Sequence, residues 1–230
     1  MATHHEGTHH AVPALKNPRV LLLIAAAIII IVVACAGIAA SGYVYHVESG
    51  PMIPLIGWLP AARVGSQTVT YAQYLQHVQV QRTFIEGPAA RDQGVSTTFD
   101  DTQRSAALER AIRIAAIDDM AMKAGIQATP LDVERAYLGL VDRAGTSTTP
   151  QEIHDFLHDQ FGMDENEFKQ LVVRPALLED TLRQAASIGS SDPNAFDTQL
   201  QARLGEPDVV RYIRFTDVTT TPSLANTTST

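Results

Sequence analysis

His154 and His158 stand four residues apart in the stretch 153–161. On a helix that spacing puts both imidazoles on one face, where they could bind zinc. A zinc-dependent hydrolase of this pattern also needs a glutamate directly after the first histidine. Position 155 is Asp155, and no third ligand stands out, so the pair reads as two surface histidines on an acidic helix. The N-terminal pairs His4-His5 and His9-His10 read as part of a disordered polar tail, with a metal-binding tail as the alternative. Asp118-Asp119 and Glu179-Asp180 are adjacent acids within helical patterns. Neighbours on a helix point in different directions, which argues against a paired-carboxylate catalyst. The single cysteine, Cys35, lies in an apolar run, so it offers neither a disulfide nor a thiol nucleophile to the remaining chain. There is no glycine-rich phosphate loop and no G-x-S-x-G. Catalytic residues, metal and cofactor are therefore all expected to be absent, and the expectation is a protein that binds rather than an enzyme.

Charge narrows the partners. The chain carries 17 Lys+Arg against 25 Asp+Glu. Beyond residue 45 the balance is 15 basic (17 minus Lys16 and Arg19) to 24 acidic (25 minus Glu6), a net of −9. Phosphate binding needs a basic face, so nucleic acid is not expected as a partner.

The run from Val20 to Ala40 holds 21 residues with no charged side chain. At 1.5 Å per residue it reaches about 30 Å, the thickness of a bilayer's hydrocarbon core. Lys16 and Arg19 flank one end, Glu48 is the first charge beyond the other, and Tyr43 and Tyr45 suit the interface. The positive-inside rule then puts residues 1–19 in the cytoplasm as a disordered tail. Residues 20–42 form a single transmembrane helix of the cell membrane, and the main domain lies outside the cytoplasm. Cleavage within the small-residue stretch 34–41, or lipidation at Cys35 after Val32-Val33-Ala34, are the alternatives.

Residues 43–60 are broken by Pro51, Pro54 and Pro60 and read as an extended connector, with Trp58 and Leu59 on the domain or at the bilayer surface. Two short β runs flank a Gly65-Ser66 turn. A helix follows from Tyr71 to about Ile85, with Tyr74, Leu75 and Val78 on one face, then a polar loop over 87–102. The spacing of Ala107, Leu108, Ala111, Ile112, Ala115, Ile117 and Met120 predicts a helix over 103–123, capped near Gly125. Thr129-Pro130-Leu131-Asp132, Thr149-Pro150-Gln151-Glu152 and Asp164-Glu165-Asn166-Glu167 are three further helix starts. Gly162 ends the second of these helices, and Pro175 should kink the third. Residues 192–204 read as a capped helix, 209–215 as an alternating strand, and 217–230 as a disordered tail. One late strand with two early ones implies a small sheet that brings the chain ends together. The expected class is mainly α with a small sheet, built from an N-terminal hairpin and a C-terminal strand, in a domain over 61–216.

Four pieces in order resemble the N-terminal chaperone domain of the SurA family, extracytoplasmic folding factors that often carry parvulin prolyl-isomerase domains. The hairpin-to-helix segment 62–75, Ala-Arg-Val-Gly-Ser-Gln-Thr-Val-Thr-Tyr-Ala-Gln-Tyr-Leu, matches in position and length, with Gly65-Ser66 where that family usually has Asn-Gly. Residues 120–133, Met-Ala-Met-Lys-Ala-Gly-Ile-Gln-Ala-Thr-Pro-Leu-Asp-Val, match the end of its long helix. A short helix follows, and residues 161–171, Phe-Gly-Met-Asp-Glu-Asn-Glu-Phe-Lys-Gln-Leu, match the step into its closing helix. The resemblance covers about residues 60–186. The 45 or so residues after it are too few for a parvulin domain and look like the family's returning helix and strand. What the resemblance implies is a membrane-anchored, chaperone-like protein that holds unfolded or exported polypeptides in an apolar groove without isomerase catalysis. The peptide-binding candidates are Phe156, Phe161, Met163 and Phe168; each could instead fill the core. A non-catalytic scaffold or subunit of an envelope complex is the rival reading, and a degenerate relative that regulates an active isomerase is a third.

Overall fold

The computed structural model describes residues 48–215, apart from 52, 93, 95–97, 145–148 and 191. The apolar span 20–40 and the tails 1–19 and 217–230 lie outside the described residues. Among those described, no helix is long and apolar enough to cross a membrane.

The fold is mainly helical, with one small three-stranded antiparallel sheet. A short α1 (Ile53–Ile56) leads into strands β1 (Pro60–Val64) and β2 (Gln67–Thr70), then α2 (Tyr71–Glu86) and α3 (Pro88–Asp92). The longest helix, α4 (Asp101–Lys123), is followed by α5 (Pro130–Ala144), α6 (Pro150–Phe161) and α7 (Glu165–Phe168). A π-helical turn (Lys169–Val173) joins α7 to α8 (Arg174–Gly189), and α9 (Ala195–Leu204) and β3 (Val209–Arg211) close the chain.

β1 is the central strand, pairing Val64 with Gln67 of β2 on one side and with Val209 of β3 on the other. The turn is the two-residue loop Gly65-Ser66, and Gly65 has φ +56°, as primed hairpin turns require. The late strand thus returns to the early hairpin, as the alternation implied. It is shorter than 209–215: ladder pairing stops at Arg211, and the amides of Tyr212 and Ile213 both turn to the carbonyl of Ala61.

Side chains three residues apart set the helix starts. Capping boxes join Thr70 to Gln73, Asp100 to Gln103, Thr149 to Glu152 and Asp164 to Glu167. Each satisfies two backbone donors that a bare helix end would leave open. The last helix starts later than expected. Asp192 accepts the Asn194 amide at 2.9 Å, so it turns the chain around Pro193, and α9 begins only at Ala195.

The core lies between the sheet, α2, α4, α8 and α9. α4 supplies its spine through Ala107, Leu108, Ala111, Ile112, Ala116 and Ile117, all buried. A smaller cluster of Val133, Tyr137 and Val173 joins α5 to the π turn.

Two further expectations are corrected. The segment read as an extended connector contributes to the fold: Ile56 on α1 is 1% exposed in the main core, while Trp58 points outward. Glu48 is paired with both Arg82 of α2 and Arg104 of α4, whose guanidinium groups also lie 4.7 and 5.4 Å from the centre of the Phe99 ring. The polar loop over 87–102 contains α3, and its Phe99 is buried between those arginines. Pro175 itself stands just past a π turn, in the first turn of α8. The Arg174 amide bonds back five residues to Lys169, immediately before the residue that has no N–H to give.

Candidate functional site

The two histidines that opened the sequence reading lie on the outer face of α6. Their rings are 6.3 Å apart and both side chains are exposed. His158 Nδ1 is 3.2 Å from Asp159. Among the described residues, no group of three or more His, Cys, Asp or Glu side chains is placed to hold a metal. The adjacent acids diverge: Asp118 meets Arg174 at 2.9 Å, whereas Asp119 meets Arg203 at 2.7 Å and Lys123 at 2.8 Å. Glu179 is taken by Arg113 and Arg183.

The chemistry of the surface gathers elsewhere, in a largely apolar groove of about 520 Å³ between α2, α4 and the segment from Phe161 to Val172. His77, Val80, Gln81 and Phe84 supply one wall from a single stripe of α2, spaced i, i+3, i+4 and i+7. Ala106 and Arg110, one turn apart on α4, supply the second. Phe161, Met163, Phe168 and Val172 supply the third. Three of the four sequence-chosen peptide-binding residues therefore share this groove. Met163 is 2% exposed and forms part of its wall, while Phe161 and Phe168 are half-buried. Phe156 does not line it. It stands 57% exposed on α6 with its ring edge-on to Phe161, 5.8 Å between centroids.

Two local features aim the third wall. Gly162 caps α6 in the left-handed conformation, φ +64°. A Cβ there would fall 2.8 Å from Thr83 Oγ1 on α2. Glycine thus allows both the turn and the close approach that set Phe161 and Met163 beside α2. Gly162→Ala is expected to cost about 2 kcal/mol, roughly 1 from the left-handed backbone and the rest from the overlap with Thr83. A denaturant titration checks this, and an unchanged midpoint would contradict it. Second, across the π turn Phe168 and Val172 line the groove while Val173 enters the small cluster under α5, against which Phe168 also packs.

Electrostatically the groove is sparse. Burial, helped by the nearby Arg110 charge, pushes the His77 imidazole down to about 4, so it is neutral at pH 7. Arg110 is exposed and makes no hydrogen bond or ion pair among the described residues. Its neighbour Glu109 is held by Arg211 at 2.7 Å. Among the described residues, no carboxylate lines the groove.

Sequence reasoning missed Phe84, Val80, His77 and Arg110. The signal was present: α2 has a second stripe behind Tyr74 and Val78, and Phe84, 62% exposed, is an aromatic that the main core does not absorb. Compared with models of protein families, with curated proteins and with solved structures, the chain shows no match.

Proposed function

We propose that this protein holds extended, unfolded or exported polypeptide segments in the groove between α2 and α4, without catalysis. The observation that carries the reading is the composition of that groove. Phe84, Phe161, Met163 and Phe168 converge there, and Phe84 stays largely in water. Aromatic rings backed by a flexible thioether give broad apolar contact, the property needed to hold varied sequences. The resemblance to the SurA family's chaperone domain supports the same reading, as does the order of hairpin, long helices and returning strand. The apolar span 20–40 would tether this activity to the cell membrane, N-terminus in the cytoplasm, with the domain outside it where exported chains emerge.

The test uses the full chain reconstituted in lipid nanodiscs and a chemically denatured client diluted into buffer. The wild-type chain is expected to suppress client aggregation, and Phe84→Asp to lose most of that effect. An exposed ring contributes little to the fold, so the variant's melting temperature should match the wild type. Absence of suppression, or an undiminished effect in F84D, would overturn the proposal. Stable capture of one defined partner without any effect on aggregation is what a scaffold subunit would show instead.

A further inference from the structure

A purely apolar groove would have no use for an ionised group, yet Arg110 stands in the wall of this one. Among the described residues it is the only permanently charged side chain there, and it has no ion-pair partner, in a chain whose net charge is −8. Arg82 and Arg104 on the same two helices are held by Glu48, and Arg211 is held by Glu109, the chain neighbour of Arg110. Lys169, next to Phe168, is shared between Glu134 and Glu165 and lies over the Tyr137 ring at 4.4 Å. His77 adds no second charge near neutral pH, because burial keeps it unprotonated. Among the described residues, the lining of the groove thus carries one positive charge and no negative one, on an acidic molecule.

Its length fixes how much chain it can take. The stripe from His77 to Phe84 spans eight residues of α2, seven helical rises or about 10 Å at 1.5 Å each. An extended strand advances about 3.3 Å per residue, so about three residues lie along it. Arg110 is on the rim rather than the floor, within reach of a side chain that branches from such a strand.

We infer that the groove selects segments in which apolar side chains flank an acidic one, the Asp or Glu carboxylate of the bound chain pairing with Arg110. This rests on the groove being the polypeptide-binding site proposed above. It predicts a bias that an acidic protein would not otherwise show, since its overall field repels anionic partners.

The experiment uses fluorescein-labelled ten-residue peptides with blocked ends, centred on Phe-Glu-Phe, Phe-Gln-Phe or Phe-Lys-Phe, and the full chain in detergent micelles. Anisotropy is expected to give the Glu peptide about fivefold tighter binding than the Gln peptide, the size of one solvent-accessible ion pair. The advantage should shrink at 0.5 M salt. Arg110→Gln should make the Glu and Gln peptides bind alike, and Arg110→Glu should shift the preference to the Lys peptide. Equal binding of the Glu and Gln peptides to the wild type would overturn the inference but leave the groove reading standing. Failure of all three to bind would overturn both. A Phe-Gln-Phe peptide with a free C-terminus that outcompetes the blocked Glu peptide would assign Arg110 to a chain terminus instead, against the inference.

Discussion

Asp119→Ala is expected to cost about 3 kcal/mol of folding stability, in the range measured for removing one partner of a buried ion pair. Asp119 is 1% exposed and Arg203 5% exposed, and they meet at 2.7 Å across 84 residues of sequence. Arg203 is also bound by Glu206 and Asp208, which keeps the cost at the lower end of that range. Against this cluster sits the hairpin turn. A Cβ on Gly65 would fall 2.6 Å from Arg203 Nη2 and 2.8 Å from Asp119 Oδ1. The cluster therefore locks three distant pieces together: the Gly65 turn, the end of α4, and the α9–β3 return. Losing Asp119 should loosen β1 and β3 jointly, visible as faster amide exchange at residues 62–64 and 209–211. A denaturant midpoint unmoved from wild type would refute this.

The same group sets an acid limit. Burial pulls the Asp119 carboxyl upward, but hydrogen bonds from Lys123 and Arg203 outweigh it and hold it below the usual carboxylate range. With the folded value below the unfolded one, the stabilisation is present above the ordinary carboxylate range and is lost as pH falls through the folded value. D119A should flatten that acid limb.

The second large effect belongs to His77. The unfolded chain takes up its proton near pH 6.5, whereas the folded one, with the imidazole pushed down to about 4 by burial and by Arg110, does not. Between those values the unfolded state binds more protons, so stability falls as pH drops from about 6.5 to about 4. The difference of roughly 2.5 units corresponds to about 3 kcal/mol. Arg110 faces His77 from α4, and the Asp118–Arg174 pair lines the cleft it shares with β2 and α8. His77→Leu keeps the wall apolar and removes the titration. Its stability relative to wild type should improve by about 3 kcal/mol between pH 7.5 and pH 4. Parallel pH profiles for the two proteins would rule this account out.

Much of the fold was legible because its signals are local. The Thr149–Glu152 and Asp164–Glu167 boxes, the left-handed cap at Gly162 and the Gly65-Ser66 turn each act within four residues. The stripe from Ala107 to Ile117 repeats at helical spacing in one uninterrupted run. The shorter late strand was less legible, since alternation through Phe215 says which face is buried and not where pairing stops. Short α1 and α3 were missed because prolines and a polar composition hide single turns that tertiary contacts hold in place.

For the candidate site the division is sharper. Phe161, Met163 and Phe168 could be picked from one stretch of chain, because they flank a helix end and the next helix start. Their partners could not. Phe84 and His77 stand about eighty residues away, and whether Arg110 is paired or free depends on what surrounds it in space. By itself the sequence determined the longer helices, most of their caps, the hairpin, the return of the last strand and the acidic balance. Only the tertiary structure decided that α2 turns one face to the core and its other to a groove, that Asp119 is a buried anchor while Asp118 is not, and that Arg110 stands in that groove with no ion-pair partner among the described residues. The physical reason is range. Capping and periodicity act over one or two turns of chain, whereas burial and charge compensation are set by neighbours that sequence separation does not reveal.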